Sequence, residues 1–223
     1  MRTIIIANGD PPTPADIARH LREGDRLLCA DGGARAALRF GLHPARVIGD
    51  FDSLTTEELQ ALEQDGVHLE RHPAHKDETD LELALLYAAR TDPSGEITIL
   101  GGLGGRLDQT IANVMLLAMP ALRDCRVMIA SGDEQSFLIR PGAPFELRGG
   151  AGDVVSLIPF GGDAHGIVTD GLEYPLRNES LFIGPARGVS NVMLGDRATI
   201  SFRQGLLLCV QATQSPATHD TFA

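Results

Sequence analysis

The sequence predicts an α/β unit over residues 1–132, a mostly parallel sheet flanked by helices, followed by an antiparallel β-sandwich or barrel over residues 133–212. Three observations carry this expectation. Short apolar runs alternate with amphipathic segments as far as about Gly132, the connections between them are brief, and beyond Gly132 helical periodicity gives way to short apolar runs punctuated by Gly and Pro. Alternation with brief connections means parallel strands covered on both faces. Short runs between turn residues mean an all-β unit.

The elements follow in order. Thr3 to Ala7 reads as a strand ending in the turn Asn8-Gly9-Asp10, and Thr13 to Arg22 as a helix with Pro14 in its first turn. Arg26 to Ala30 is the next strand, and the helix Ala34 to Phe40 is stopped by Gly41 and Pro44. A short strand, Arg46 to Ile48, precedes a helix over Thr55 to Gln64, and His68 to Arg71 is a further short strand. Thr79-Asp80-Leu81-Glu82 has the form of a capping box opening a helix that runs to about Arg90. Glu96 to Leu100, a helix from Asp108 to Leu117 and the strand Arg126 to Ala130 close the series. The later strands are expected at Ser136–Arg140, Val154–Pro159, Gly166–Thr169, Ala198–Phe202 and Leu206–Val210. The tail 213–223 is polar and rich in small residues, so disorder is expected there.

Four segments set aspartate beside glycine or beside other acids: Asp31-Gly32-Gly33, Gly49-Asp50-Phe51-Asp52-Ser53, Lys76-Asp77-Glu78-Thr79-Asp80 and Gly104-Gly105-Arg106-Leu107-Asp108. Three of them follow an apolar run, so parallel strands would bring several carboxylates to one edge. Converging carboxylates repel unless a cation holds them, and Mg²⁺ with a nucleotide phosphate is the simplest partner. Asp50 and Asp52 share a side if the backbone stays extended; the same residues also make good turn chemistry. Acids at the start of the helix near Asp80 suit the helix dipole, yet Asp77, Glu78 and Asp80 exceed what a cap requires once Thr79 fills that role. Lys76 either reaches a phosphate or neutralises its neighbours. Gly101-Gly102-Leu103-Gly104-Gly105-Arg106 has the composition of a phosphate cradle before a helix. It is neither a Walker A loop nor a complete dinucleotide fingerprint.

Composition narrows the partners. The chain has 223 residues, 43% of them hydrophobic, with 30 acidic and 19 basic residues and a formal charge of −11. That balance argues against a nucleic-acid backbone or an anionic membrane as partner. No apolar stretch approaches the roughly 18 residues that span a bilayer, and the N-terminal residues lack a signal-peptide layout. Cys29, Cys125 and Cys209 suggest neither a disulfide framework nor a zinc site; Cys29 and Cys209 sit in apolar runs that suit buried reduced thiols. A cytoplasmic protein fits. The seven histidines show no ligand spacing, and no Gly-x-Ser-x-Gly elbow supports a hydrolase triad.

With these motifs assembled, the chain resembles the thiamine pyrophosphokinase (thiamin diphosphokinase) family over nearly its whole length. The matching segments include Ala30 to Ala34, Gly49 to Ser53, Lys76 to Asp80 and Gly104 to Gln109; in the second unit they are Ser156 to Pro159, Gly171 to Leu176 and Gly188 to Asn191. Their order and spacing make the resemblance specific. It implies transfer of pyrophosphate from ATP to the hydroxyl of thiamine, giving thiamine diphosphate and AMP. It also implies a homodimer whose active sites lie at the subunit interface. Under this resemblance Asp50 and Asp52, with Asp80 or Asp77, hold Mg²⁺, while Lys76, Gly102, Gly104, Gly105 and Arg106 receive the ATP phosphates. Arg106 stabilises developing charge, and either Asp31 or Asp108 orients or deprotonates the attacking hydroxyl. Tyr174, Ser190, Asn191 and Gln109 hold thiamine. Gln109 stands where many relatives have His, and Tyr174 where some have Trp. The competing readings are a hydroxymethyl-pterin pyrophosphokinase, a non-catalytic thiamine or nucleotide sensor, and a metal-dependent phosphatase.

Overall fold

The computed structural model describes residues 1–214. By its internal contacts the chain separates into Met1–Gly132 and the residues from Asp133 onward. The first unit is built on six parallel strands: β1 (Arg2–Ile6), β2 (Arg26–Ala30), β3 (Arg46–Gly49), β4 (His68–Arg71), β5 (Glu96–Leu100) and β6 (Arg126–Ser131). Their spatial order is β6-β5-β1-β2-β3-β4. Five α-helices connect or follow them: α1 (Pro14–His20), α2 (Gly33–Arg39), α3 (Thr56–Gln64), α4 (Asp80–Thr91) and α5 (Leu107–Leu116), with a 3₁₀ turn at Pro120–Leu122.

Period-two burial on both faces explains the apolar runs. Ile4, Ile6, Leu27, Cys29 and Val47 share one cluster with Ala34, Ala37 and Leu62 of α2 and α3. The alternate residues Ile5, Leu28 and Ile48 are fully buried on the other face, and α4 packs against β1, β2 and β3. Each such Ile or Leu removed from water stabilises the fold by about 2–3 kcal/mol as an upper estimate. The helix starts are set by threonine. Thr13 with Asp16 and Thr55 with Glu58 form complete capping boxes. At α4, where the sequence predicts such a box, the forward half forms: Thr79 Oγ1 accepts from the Glu82 N–H at 3.2 Å.

The strand order positions the site. β1 has β2 on one side and β5 on the other, so the chain leaves β1 in one direction and later returns on the opposite side. That reversal is a topological switch point, where open α/β sheets bind ligands outside the carboxyl ends of their strands.

Among the described residues the second unit holds eight antiparallel strands in two four-stranded sets. One runs β12 (Asn191–Val192), β9 (Val154–Pro159), β14 (Leu207–Ala212), β7 (Glu134–Ile139). The other runs β11 (Arg177–Leu181), β10 (Ala164–Asp170), β13 (Arg197–Ser201), β8 (Phe145–Arg148). Val155, Leu157 and Cys209 from the first set share one cluster with Leu147, Ile167 and Ile200 from the second, as in a sandwich. The strands β8, β11 and β12 were not expected from the sequence. β8 and β11 are edge strands rich in charge, and β12 is two residues long, so none presents an apolar run.

Two sequence expectations are corrected here. Thr213 and Gln214, assigned to a disordered tail, are tied down: Thr213 N–H donates to Asp133 O at 2.9 Å and Gln214 N–H to Asp153 Oδ1 at 3.1 Å. The rest of that tail lies outside the described residues. The Asp50–Asp52 segment is not extended. Phe51 has φ +66 and is buried, so the chain turns there.

Candidate active site

Beyond β3 the chain makes an Asx turn, with the Asp52 N–H donating to Asp50 Oδ1 at 3.1 Å. Phe51 anchors the turn from below in the left-handed region. Arg71 locks it by stacking 4.7 Å over the Phe51 ring and donating to Asp50 O at 2.9 Å. Turn chemistry and converging carboxylates thus coexist, because the turn is what brings Asp50 and Asp52 to one side. Asp31 reaches the same point from the end of β2. Its own φ is +42, and its N–H donates to Ile48 O at 2.9 Å, which continues the β2–β3 ladder. The first of the two glycines after it leaves room for the Asn8 side chain, and the second is a steric necessity against backbone. A Cβ on Gly33 would sit 2.1 Å from Ile6 O, and one on Gly32 2.4 Å from the Asn8 side chain.

Carboxylate oxygens of Asp31, Asp50 and Asp52 lie within 4.8 Å of one another. Opposite oxygens around an octahedral Mg²⁺ are about 4.2 Å apart, from metal–oxygen distances of about 2.0–2.1 Å. The spacing is close to what ligands of a shared ion need, and a small side-chain adjustment would bring all three within reach of one. Asp31 is 4% exposed and its Oδ1 has no hydrogen-bond partner. Leaving such an atom bare costs roughly 1–3 kcal/mol or more for a charged group, and a bound cation removes that penalty. These residues fit a divalent metal.

Asp80 lies beside this trio but is not one of its three mutually close carboxylates. It is held by Lys76, whose Nζ lies 2.9 Å from Asp80 Oδ1, 3.9 Å from Asp50 Oδ2 and 3.2 Å from Pro73 O. Burial raises the Asp80 carboxyl above the usual carboxylate range; Lys76 opposes the shift and the charges of Asp31 and Asp50 add to it. Asp77 is exposed one turn before the helix and does not line the cleft.

A cleft of about 610 Å³ opens over these acids, lined by Asp31, Asp52, Lys76 and Asp80 on one side and by Gly104, Gly105, Arg106 and Gln109 on the other. The glycine-rich loop after β5 is stitched to the loop after β1. Gly9 N–H donates to Gly101 O and Asp10 N–H to Leu103 O, each at 2.8 Å. Gly104 has φ +86, and a Cβ there would lie 2.0 Å from the Asp10 carboxylate. Gly105, φ +67, faces open space. Gly102 is buried outside the cleft lining, above Ile99 and Ile129, and its carbonyl accepts from Asn113 Nδ2 at 2.8 Å. Arg106 and Asp108 pair with each other at 2.5 Å, both exposed. The hydrogen bond from Arg106 holds the Asp108 carboxyl below its ordinary range.

The cleft also includes residues that sequence reasoning passed over: Asn8, Gly9, Asp10, Ser53 and Asn113. Asn8 Nδ2 donates to Ser53 Oγ at 3.2 Å, and Ser53 Oγ donates to Asp52 Oδ1 at 3.1 Å, a relay that orients Asp52. The available signal was position: Asn8-Gly9-Asp10 ends the strand at the switch point.

In the β unit, Tyr174 is 63% exposed. Its backbone is gripped by Asn191, whose Oδ1 accepts from Tyr174 N–H at 3.0 Å and from Val192 N–H at 2.9 Å, while Nδ2 donates to Tyr174 O at 2.8 Å. Asn191 is itself buried. Ser190 is exposed with φ +60, and its N–H donates to Ser156 Oγ at 3.0 Å. Gln109 sits in the first turn of α5 beside Asp108 in the α/β unit.

An acid trio facing a glycine-rich loop at a parallel-sheet switch point suits a phosphotransfer enzyme. Comparison with known proteins gives the particular family. The family model described as thiamin pyrophosphokinase, catalytic domain, matches residues 17–129, and that described as thiamin pyrophosphokinase, vitamin B1 binding domain, matches residues 144–207. The chain belongs to the thiamin pyrophosphokinase family. It is 31% identical to the thiamine pyrophosphokinase of Bacillus subtilis over 96% of this chain and 100% of that one. It is 27% identical to thiamine pyrophosphokinase 1 of Oryza sativa over 81% and 76% of the two chains. A crystal structure of a thiamine pyrophosphokinase from Bacillus subtilis superposes with a TM-score of 0.86 at 29% identity, covering 96% of this chain and 100% of that one. The yeast enzyme shares the fold, with a TM-score of 0.81 at 18% identity over 95% and 86% of the two chains.

Proposed function

We propose that this chain transfers pyrophosphate from ATP to the hydroxyl of thiamine, yielding thiamine diphosphate and AMP. The observation that carries this reading is the orphaned, buried Asp31 carboxylate converging with Asp50 and Asp52 beside the glycine-rich loop, in a chain of this family. Asp31, Asp50 and Asp52 would hold Mg²⁺, with Asp80 within reach once Lys76 lets go. The metal supplies neutralisation of phosphate charge during displacement at phosphorus. Gly104 and Gly105 leave room for phosphate oxygens against the backbone. Arg106 swings from Asp108 onto the polyphosphate and stabilises the charge that develops there. Asp108 parks Arg106 until nucleotide arrives, and either Asp31 or Asp108 orients the attacking hydroxyl. In the β unit the exposed Tyr174 ring offers a face for the cationic thiazolium. Asn191 acts through the Tyr174 backbone, and Ser190 and Gln109 supply polar contacts to thiamine.

The functional assembly is a homodimer with its active sites at the subunit interface, in the cytoplasm. Support comes from exposed apolar side chains. Leu107, Ile111 and Met115 form a stripe along α5, and Phe182, Ile183 and Leu194 stand out from the β unit. Three free cysteines suit a reducing compartment. Among the described residues no helix is long and apolar enough to cross a membrane.

The test is an assay with ATP, Mg²⁺ and thiamine in which AMP and thiamine diphosphate are both quantified. Equimolar formation of the two supports the reading. AMP formed with a hydroxymethyl-pterin but not with thiamine, or phosphate released without an acceptor, rejects it.

A further inference from the structure

Lys76 is a half-sequestered cation inside a nest of acids. Its side chain is only 11% exposed, and its ammonium is fixed by three oxygens, from Asp80, Asp50 and Pro73. Four carboxylates, those of Asp31, Asp50, Asp52 and Asp80, meet around this point, as the crowding of Asp31 and Asp80 around Gly49 and the Asp31–Asp50–Asp52 spacing show. One ammonium leaves such a cluster under-neutralised, and Asp31 Oδ1 remains without any partner.

We propose that Lys76 is a built-in counter-cation that competes with the divalent metal for Asp50 and Asp80, so that metal binding expels its ammonium toward the polyphosphate. This rests on the reading of the cleft as a metal–nucleotide site. The physical reason is mutual exclusion. An ammonium 2.9 Å from Asp80 and 3.9 Å from Asp50 stands where a metal ion drawing on those carboxylates would repel it. Release is cheap to arrange, because Lys76 lies in the loop ahead of the Thr79 cap, outside α4, and can turn without disturbing the helix. The ammonium thus serves twice: it limits carboxylate repulsion before metal binds, and it is delivered to the phosphates only when the metal is in place.

The experiment measures Mg²⁺ or Mn²⁺ affinity without nucleotide, by calorimetry and Mn²⁺ electron paramagnetic resonance, for wild type, Lys76→Met, Lys76→Arg and Asp52→Asn. Lys76→Met should bind metal about tenfold more tightly, and melt lower than wild type in EDTA but gain more from Mg²⁺. Lys76→Arg should stay close to wild type. A second readout needs no variant. Acylation of Lys76 in the wild-type chain, followed by mass spectrometry, should rise severalfold when Mg²⁺ is added without nucleotide. Metal affinity in Lys76→Met that is equal to or weaker than wild type, or labelling indifferent to Mg²⁺, overturns the proposal. The Asp52→Asn arm separates the two failures. If that variant loses metal while Lys76→Met gains none, only the counter-cation role falls. If it binds metal like wild type, the cleft is not the metal site and both readings fall.

Discussion

In the cleft of the α/β unit, acids crowd together with too few partners, and Asp31 is buried with a bare oxygen. Around Tyr174 in the β unit the arrangement is reversed: three hydrogen bonds from one buried carboxamide satisfy the backbone, and the aromatic ring above it is left exposed. Under the proposed function the contrast follows from the ligands. A charged ligand with its metal would offset the repulsion among these acids. A flat organic cation needs instead a rigid platform, whose polar groups must be settled before the ligand arrives so that nothing competes with stacking.

The sharpest way to break this contrast is Asp52→Asn. Activity should fall at least about a hundredfold, since an ion ligand is lost where charge develops. The fold should persist, and in EDTA the melting temperature should stay level or rise, because one of several repelling charges is gone. Activity and thermal unfolding with and without Mg²⁺ test both halves. Retained turnover, or a variant that melts well below wild type in EDTA, would mean the acids are structural.

The converse substitution is Asn191→Ala. It should destabilise the β unit by about 2 kcal/mol, because Tyr174 and Val192 backbone groups lose their partners, and it should also raise KM for thiamine while leaving KM for ATP nearly unchanged. Denaturant unfolding together with steady-state kinetics measures this. A variant of wild-type stability with a weakened thiamine KM would instead make Asn191 a direct ligand contact.

Which of these features were legible in the sequence depends on what each one needs. Parallel strands buried on both faces, such as Ile4-Ile5-Ile6, write themselves as apolar runs. Edge strands such as β11, Arg177–Leu181, carry charge and leave no such trace. Asp31, Asp50 and Asp52 were visible as residue types at strand ends, but their partnership was not. That Asp31 rather than Asp80 completes the trio depends on Phe51 turning left-handed and on Lys76 occupying Asp80, neither of which has a sequence period. Asn8 and Asp10 were hidden because polar residues beside glycine read equally well as a turn. Asn191 was expected to meet thiamine, and its inward orientation in a two-residue strand follows from the β9 pairing, which local sequence does not encode.

A smaller effect is expected at Tyr174 itself. Because the residue is 63% exposed, Tyr174→Ala should change stability by less than about 0.5 kcal/mol. Loss of the stacking face should raise KM for thiamine roughly two- to fivefold, from a cation–π contribution of about 0.5–1 kcal/mol at an exposed site, with KM for ATP nearly unmoved. Tyr174→Phe should restore most of the loss. Equal effects on both substrates would remove Tyr174 from the thiamine site.

The smallest effect sharpens the comparison within the α/β unit, where Asp16 is as buried as Asp31 yet fully partnered. Its carboxylate accepts from Thr13 N–H at 2.8 Å, Thr13 Oγ1 at 2.7 Å and Gly132 N–H at 3.0 Å. Burial by itself would raise its pKa, but these donors outweigh burial and the net shift is below the ordinary value of 3.8. A depressed folded-state pKa gives stability that is fully present above the unfolded value and is lost as pH falls through the folded one. The stability attributable to Asp16 should therefore be constant above about pH 5 and decline as pH falls below 3.8. Asp16→Asn turns an amide N–H toward groups that can only donate or already do, so it should be less stable than wild type at neutral pH, with the gap narrowing in acid. Glu58, whose carboxyl is also held low by an exposed Arg35, serves as the control. Glu58→Gln should leave the acid limb of the denaturant-derived stability profile nearly unchanged, because exposed ion pairs contribute little. An Asp16→Asn profile running parallel to wild type through that window would show that hydrogen-bond satisfaction is not what distinguishes a structural buried carboxylate from a ligand-seeking one.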